Sequence, residues 1–578
     1  MKVPRASASI LLLVGHVSAA SKLRACPLLG QQYPPPARLS DDPSFQAATQ
    51  QIEDALAANA KTYNLAETSF SLGMFSTSED GLLYDHHHTT ALLSNSSQGT
   101  RKIDNDSIYR IGSISKLLTM YMFQIAAEGD KYFNDPISKH VPALQQAKST
   151  WNPITPEWDD ITVGDLAGQM AGLARDFGLA DFAPPQGQIG ALPPAAQAAL
   201  PKIPADEIPS CGYLRPDGTF PACKLQDYID GIASESPIFP TAYTPVYSNE
   251  AFALIGLALQ QIAGREPEAI FDSEIVKALG LTGTTYTVPE SIPSTAIIPS
   301  NPKLAGWDSD LGVFGPAGGY FSSTNDLATM GKAMLSSTLL PIAQTRRWMK
   351  PSSFVEDFAQ GVGRPWEIFR VKVNGQSVDA YSKSGDWGVY STAFILVPQY
   401  DFGVTLLTAR DPAGAAPTKD LRTDFPNEIF AVILPVLDRI AKEQALSNFA
   451  GSYIDPKTNS SVVVGTDSQN SGLLITSWFS KGVDLLGLLA LTTKNIVLRL
   501  QPNQIPYGDG KIGFTSYYSS ATPPLNRSEG FFQCAGWFDV DEFTYGNIPL
   551  GQVVFGVDST GIASSVELRA FRATLTKR

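Results

Sequence analysis

The chain has 578 residues, more than one hydrophobic core usually organises, since single cores seldom grow past roughly 250–300 residues; more than one domain is expected. Hydrophobic residues at 43% and charged residues at 17%, with 47 Gly and 42 Pro, describe a loop-rich globular protein and exclude a disordered or coiled-coil one. Lys plus Arg number 43 against 56 Asp plus Glu, and the net charge of −13 argues against the basic surface that nucleic acid requires.

The first twenty residues read as a secretory signal: Lys2 and Arg5, then the apolar run Ile10 to Val14, then the small residues around Ser18-Ala19-Ala20. That run is far below the roughly twenty residues of a bilayer span, and no later segment reaches this length. Four N-x-S/T acceptors, at Asn95, Asn105, Asn459 and Asn526, agree with secretion as glycosylation sites. In an oxidising compartment Cys211 and Cys223 flank a Gly/Pro-rich stretch that a disulfide would close, leaving Cys26 and Cys534 as a second, long-range pairing; the alternative is that some are buried free thiols.

Downstream, Asp42 to Ala58 has helical periodicity behind an Asp-Pro start. Thr68 to Met74 and Leu83 to Leu93 form a hairpin around Asp80-Gly81, and Ile111 to Leu173 is helical with short connections. Phe177 to Cys223 turns to Pro, Ala, Gln and Gly without period, a long surface insertion expected to shape a functional pocket. Helical patterns return at Asn249 to Ile262 and Asp326 to Leu335, strand runs fill Ser377 to Thr408, and a helix spans Asn427 to Glu443. From Phe449 onward, short alternating runs (Ser461 to Gly465, Ile496 to Leu500, Gly551 to Val557, Ser565 to Thr574) predict a small all-β barrel or sandwich. The expected organisation is a signal at 1–20, a catalytic domain at 21–446 and a β-rich domain at 447–578. The junction lacks linker composition, so the last domain should pack on the one before it.

Candidate chemistry is narrow. The mature chain holds four His, and His86-His87-His88 lies in a strand whose side chains alternate faces, so the three cannot converge on one metal; an exposed polar strand is the expectation, and neither metal nor cofactor is called for. The strongest nucleophile signal is Gly112-Ser113-Ile114-Ser115-Lys116 running into an apolar helix. Ser113 stands at the first turn with Lys116 one turn later on the same face, where its amine can take the hydroxyl proton. The competing reading is a helix-capping serine beside a solvated lysine. A second S-x-x-K, Ser300 to Lys303, is denied a helix by Pro302 and its turn-rich surroundings. Tyr247-Ser248-Asn249 and Lys383-Ser384-Gly385 follow in order.

The ordered trio S-x-x-K, Y-x-N, K-S-G resembles the serine β-lactamase and penicillin-binding-protein superfamily, in its class C β-lactamase-like branch, over roughly Asp42 to Lys442. Ile161 to Leu166 followed by Ala171-Gly172-Leu173, and Gly318 to Leu327, resemble two further family segments; the signal and the appended β-domain resemble a secreted fungal esterase subgroup. The resemblance implies an α+β catalytic domain, an antiparallel sheet flanked by helices plus an all-helical part. It also implies roles: Ser113 acylated, Lys116 activating it, Tyr247 shuttling protons, Lys383 holding positive charge beside the phenol, and Asn249 binding the acyl side chain. Ser384, Gly385 and Asp386 would contact substrate, with the Ser113 and Asp386 backbone N–H groups as an oxyanion hole. The departures are Ala171 for Ser, Ser384 for Thr, and the acidic Asp386, whose side chain would repel a substrate carboxylate.

The leading expectation is a secreted serine hydrolase that cleaves an ester, amide or lactam in a small-molecule or peptide substrate. The alternatives are an acyltransferase of the same fold acting in natural-product assembly, and a catalytically silent binding protein. Oligomeric state is left open.

Overall fold

A computed structural model describes residues 27–146, 152, 154–183, 192–215, 217–414, 417–467, 471–492, 496–520, 537, 540–541 and 543–578. The signal segment, Cys26, Cys534 and Asn526 lie outside the described residues. Helix α1 (Pro43–Ala58) starts where the sequence places it: Asp42 Oδ1 accepts from the Ser44 N–H at 2.8 Å, and Pro43 sits at the first helical position, where its missing N–H costs nothing.

An antiparallel sheet of eight strands is the frame of the catalytic unit. In chain order they are β1 (Thr68–Ser76), β2 (Tyr84–His88), β3 (Ser353–Phe354), β4 (Gln360–Val362), β5 (Glu367–Val373), β6 (Gln376–Trp387), β7 (Tyr390–Val397) and β8 (Phe402–Arg410). Their spatial order is β2-β1-β8-β7-β6-β5-β4-β3. Every residue of β1 is buried, because both sheet faces are covered. Its period-two alternation sends Phe70, Leu72 and Met74 into one core and Phe75 into another. The first core is closed by α1 and by the long helix running Leu421–Phe449, through Phe45, Ile52, Phe425, Ile429 and Ile433. The second holds the helical part: α2 (Ile114–Ala126), α3 (Glu250–Ala263), α4 (Thr324–Leu335) and their connections. With α2 to α4 in place, the long helix is α5.

Helix α5 corrects the expected span of 427–443. It runs from an Asp420 cap through Pro426 and Pro435 to Phe449. A proline interior to a helix costs a backbone hydrogen bond, so sequence reasoning starts the helix after Pro426; burial of Phe425, Ile429, Ile433 and Leu437 on one continuous stripe overrides it. The same stripe continues through Ala441, Ala445 and Phe449 into the core of the C-terminal unit, so one rigid element serves both.

That unit is a closed eight-stranded antiparallel barrel. Its strands are β9 (Gly451–Asp455), β10 (Ser460–Gly465), β11 (Leu473–Ser480), β12 (Ile496–Pro502), β13 (Lys511–Ser520), β14 (Gln552–Val557), β15 (Ala563–Leu568) and β16 (Ala573–Lys577). They run β10-β9-β16-β15-β14-β13-β12-β11, and the β10–β11 pairing closes the ring. Closure removes the open edges that a sandwich would have to protect. The barrel packs on the catalytic unit: the Arg346 guanidinium donates to Gln504 Oε1 at 2.6 Å, Lys442 donates to the Asp467 carbonyl, and Tyr33 of the N-terminal segment joins the barrel core.

Four local expectations are corrected. The strand expected over 83–93 stops at His88, because Thr90 caps a helical turn, Ala91–Ser94. The run from Ser565 to Thr574 is two strands, broken by the turn Arg569–Phe571, with Arg572 left-handed at φ 51°. Pro302 does not deny Ser300 to Lys303 a helix but starts a short one, Pro302–Ala305, as first-turn proline can. The three histidines are half-buried rather than exposed, and His87 bridges Ser71 Oγ (3.0 Å) and Asn105 Oδ1 (2.9 Å). Asn105 therefore has its side-chain oxygen engaged, while Asn95, whose amide donates to the Ala91 carbonyl at 2.9 Å, and Asn459 are exposed.

Candidate active site

The Ser113 hydroxyl lies where α2 meets β6. Gly112, left-handed at φ 49°, delivers Ser113 into helical backbone (φ −68°, ψ −2°), and its side chain makes no capping bond. The capping reading fails for Lys116 too: the amine is fully buried, donating to Ser113 Oγ at 2.9 Å and to the Ala317 carbonyl at 2.6 Å. Tyr247 approaches from the loop before α3, and its hydroxyl donates to the same Ser113 Oγ at 2.8 Å. Residues 134 positions apart thus converge on one oxygen. Ser115, by contrast, turns its hydroxyl back to the Gly112 carbonyl at 2.7 Å.

Strand β6 presses K-S-G against this helix start. A Cβ on Gly385 would stand 2.1 Å from the Ile111 carbonyl oxygen and 2.8 Å from the Ser113 nitrogen; one on Gly112 would stand 2.5 Å from the Asp386 nitrogen. Both glycines are therefore needed for contact, and that contact brings the backbone nitrogens of Ser113 and Asp386 close to the opposing glycine of each pair.

Electrostatics sharpen the arrangement. Burial alone would raise the Tyr247 phenol, but the charges of Lys116 and Lys383 and the bond to Ser113 override it and bring the group down to about 8. The Lys383 amine lies 5.3 Å from the Tyr247 ring centre and the Lys116 amine 5.1 Å. Burial lowers Lys116 below its ordinary value, against the opposing pull of Tyr247, so its proton is given up more readily than that of a solvated lysine. Burial lowers Lys383 as well, yet Glu367 and Tyr247 outweigh it and hold this lysine above its ordinary value.

Glu367 carries no motif and escaped the sequence reading. From β5 it pairs with Lys383 at 2.5 Å and accepts from the Ser384 backbone N–H (2.9 Å) and hydroxyl (3.1 Å). Only the β5–β6 register, Glu367 opposite Ser382, places it there. Ser384 is thus bonded inside the chain. Asn249 donates to Asp176 Oδ1 at 2.5 Å, and its backbone N–H to the Arg175 carbonyl, tying Y-x-N to the segment after Ala171-Gly172-Leu173.

These groups open into a cavity of 560 Å³ whose apolar wall includes Leu179, Phe220, Leu311, Phe314 and Trp387. Leu179 and Phe220 belong to the expected insertion. The Cys211–Cys223 disulfide is present and closes the loop that holds Phe220 edge-on to Trp387, ring centres 5.6 Å apart. Arg175, Asp176 and Arg422 also line the cavity and were missed, since Arg175 and Asp176 lie just beyond the Ala171-Gly172-Leu173 segment and Arg422 comes from a helix start without a motif. Among the described residues no cluster of His, Cys, Asp or Glu has the arrangement of a metal site, and no helix is long and apolar enough to cross a membrane.

An α+β unit with a Ser-Lys-Tyr cluster, its lysine buried and its serine and tyrosine half-buried, at the helix–sheet junction, followed by a closed barrel, defines a β-lactamase-like fold. A family profile described as "Beta-lactamase" matches residues 80–425, and one described as "Beta-lactamase-like-like, C-terminal domain" matches 441–578. The chain belongs to the beta-lactamase family. It is 26% identical to a "Beta-lactamase-like protein" of Arthroderma benhamiae across 98% of both chains, and 25% identical to "Probable hydrolase clz13" of Cochliobolus lunatus across 99% of this chain and 94% of that one. It is also 24% identical to the "D-alanyl-D-alanine-carboxypeptidase/endopeptidase AmpH" of Escherichia coli K12 over 53% of this chain and 72% of that one. A solved "Beta-lactamase/D-alanine Carboxypeptidase" from Yersinia pestis is 18% identical, covering 67% of this chain and 99% of that one, with a TM-score of 0.47.

Proposed function

We propose that the protein is a secreted serine hydrolase that cleaves an ester, amide or lactam through an acyl-enzyme on Ser113. The observation that carries this reading is the convergence of the Lys116 amine and the Tyr247 hydroxyl on Ser113 Oγ, at 2.9 and 2.8 Å. A serine is a weak nucleophile until a neighbouring base takes its proton. With the phenol at about 8, on the order of a tenth of the molecules carry a base at pH 7.

In the proposed cycle Ser113 Oγ attacks the substrate carbonyl as its proton passes to the Lys116–Tyr247 pair. The carbonyl oxygen, now anionic, takes hydrogen bonds from the Ser113 and Asp386 backbone N–H groups, each worth about 3 kcal/mol in such a hole. The bond to the leaving group breaks as Tyr247 returns the proton to it. Water then loses a proton to the phenolate, attacks the ester to Ser113, and Ser113 Oγ departs reprotonated. Lys383 stays charged throughout, stabilising each phenolate state. Secretion is proposed from the N-terminal signal composition, and the Cys211–Cys223 bridge is consistent with it.

A fluorophosphonate probe followed by peptide mass mapping tests the nucleophile. The adduct is expected on Ser113, with turnover of a panel of aryl esters abolished in Ser113→Ala and slowed about 10²–10⁴-fold in Tyr247→Phe. Labelling at Ser115 or Ser300, or an active Ser113→Ala protein, overturns the reading. Product partitioning mainly to added alcohols rather than water converts it to acyl transfer.

A further inference from the structure

The cavity wall carries six formal charges, and the chain pairs all six internally. Arg175 meets Asp176 at 3.4 Å, Lys383 meets Glu367 at 2.5 Å, and Arg422 meets Asp386 at 3.3 Å. Three cations and three carboxylates leave the wall without net charge, beside an apolar surface built from Leu179, Phe220, Leu311, Phe314 and Trp387.

The third pair bears on specificity. Arg422 stands in the first turn of α5, only one-fifth exposed, and lines the cavity. Left alone, it would be the natural partner of a substrate carboxylate, since a guanidinium matches a carboxylate in geometry and charge. Asp386 already occupies that place. Its carboxylate is held there by the Ser391 hydroxyl, which donates to Asp386 Oδ1 at 2.6 Å, while Oδ2 faces Arg422. Asp420, at 3.6 Å from the guanidinium, adds a second intramolecular anion. An entering carboxylate would have to displace the Asp386 carboxylate, which is 59% exposed, from the guanidinium it already neutralises.

Resting on the acyl-enzyme reading above, we infer that the Asp386–Arg422 pair is a charge filter that restricts this site to substrates uncharged beside the scissile carbonyl, with Asp386 the specificity-determining side chain. The substrate class that fits is a neutral ester or lactam with an apolar body against Phe220, Phe314 and Trp387. This refines the expectation drawn from Asp386 alone: Arg422 cancels its charge, so the discrimination comes from an occupied cation rather than from a bare negative wall.

The test uses two arylboronic acids of nearly equal shape, one bearing a carboxylate and one its methyl ester. Each forms a reversible adduct on a nucleophilic serine, and its inhibition constant is read as protection of Ser113 from the fluorophosphonate probe, so no substrate need be known. The ordinary protein is expected to prefer the neutral member. In Asp386→Asn, and more fully in Asp386→Asn/Asp420→Asn, the ratio of the two constants should move by about tenfold or more toward the carboxylate, as a charge-assisted hydrogen bond becomes available. Adding Arg422→Met should erase that gain. A preference for the carboxylate in the unaltered protein, or a ratio unmoved by both Asp386 variants, overturns the filter. Failure of Ser113 to label with probe alone refutes instead the acyl-enzyme reading, and the filter with it.

Discussion

Replacing the Lys383–Glu367 pair by the uncharged pair in Lys383→Met/Glu367→Gln isolates what positive charge does for Tyr247. The double change is preferred because removing the lysine alone strands a carboxylate beside a buried site, typically a loss of about 3–5 kcal/mol. At 5.3 Å from the ring centre, a unit charge is worth about 3 kcal/mol to the phenolate at an effective dielectric of about 20. The opposite charge of Glu367, paired with the lysine, cancels part of this. The phenolate form should therefore appear at roughly 9–10 in the variant, against about 8 in the parent. Because the phenolate is the competent base, the rate rises with pH through that value in both proteins. At pH 7 the variant should be about 10–100-fold slower, and it should recover at high pH. The assay is kcat/KM for an aryl ester from pH 6 to 10, with buffer hydrolysis subtracted. A variant whose alkaline limb stays near 8, or whose rate is lower by one constant factor at every pH, would refute the electrostatic account and leave Lys383 a packing residue.

Gly385→Ala places a methyl 2.1 Å from the Ile111 carbonyl and 2.8 Å from the Ser113 nitrogen, so β6 must retreat from α2. Activity should fall at least about 10²-fold, with a stability loss of about 1–3 kcal/mol by thermal melting; parental kcat in this variant would contradict the proposed oxyanion geometry. Cys211→Ala/Cys223→Ala opens a bridge of sequence separation 12 and should lower stability by about 2–4 kcal/mol. Its KM for substrates with an apolar body should rise more than kcat falls, because Phe220 loses its anchor; unchanged KM would show that the loop does not form the substrate wall.

The difference between what could be read from the chain and what could not follows the range of the forces. Ser113 and Lys116 are one helical turn apart, so any helix across them puts both on one face, and the apolar text from Leu117 onward announces that helix. The capped start of α1, the strand β1 and the alternation of the C-terminal segment are equally local. The order of the three motifs carried the family resemblance, and with it the expected place of Tyr247 and Lys383. Folding alone decided the rest. Barrel and sandwich share one alternation pattern, and only the pairing of β10 with β11 closes the ring. The extent of α5 was set by a buried stripe that two prolines could not interrupt. Glu367 reaches Lys383 through a strand register, and Arg422 reaches Asp386 through the docking of a helix start on the end of an interior strand. Charge pairs of this kind leave no periodic trace along the chain, because a carboxylate finds its partner through space, at a distance that only the assembled sheet and helices determine.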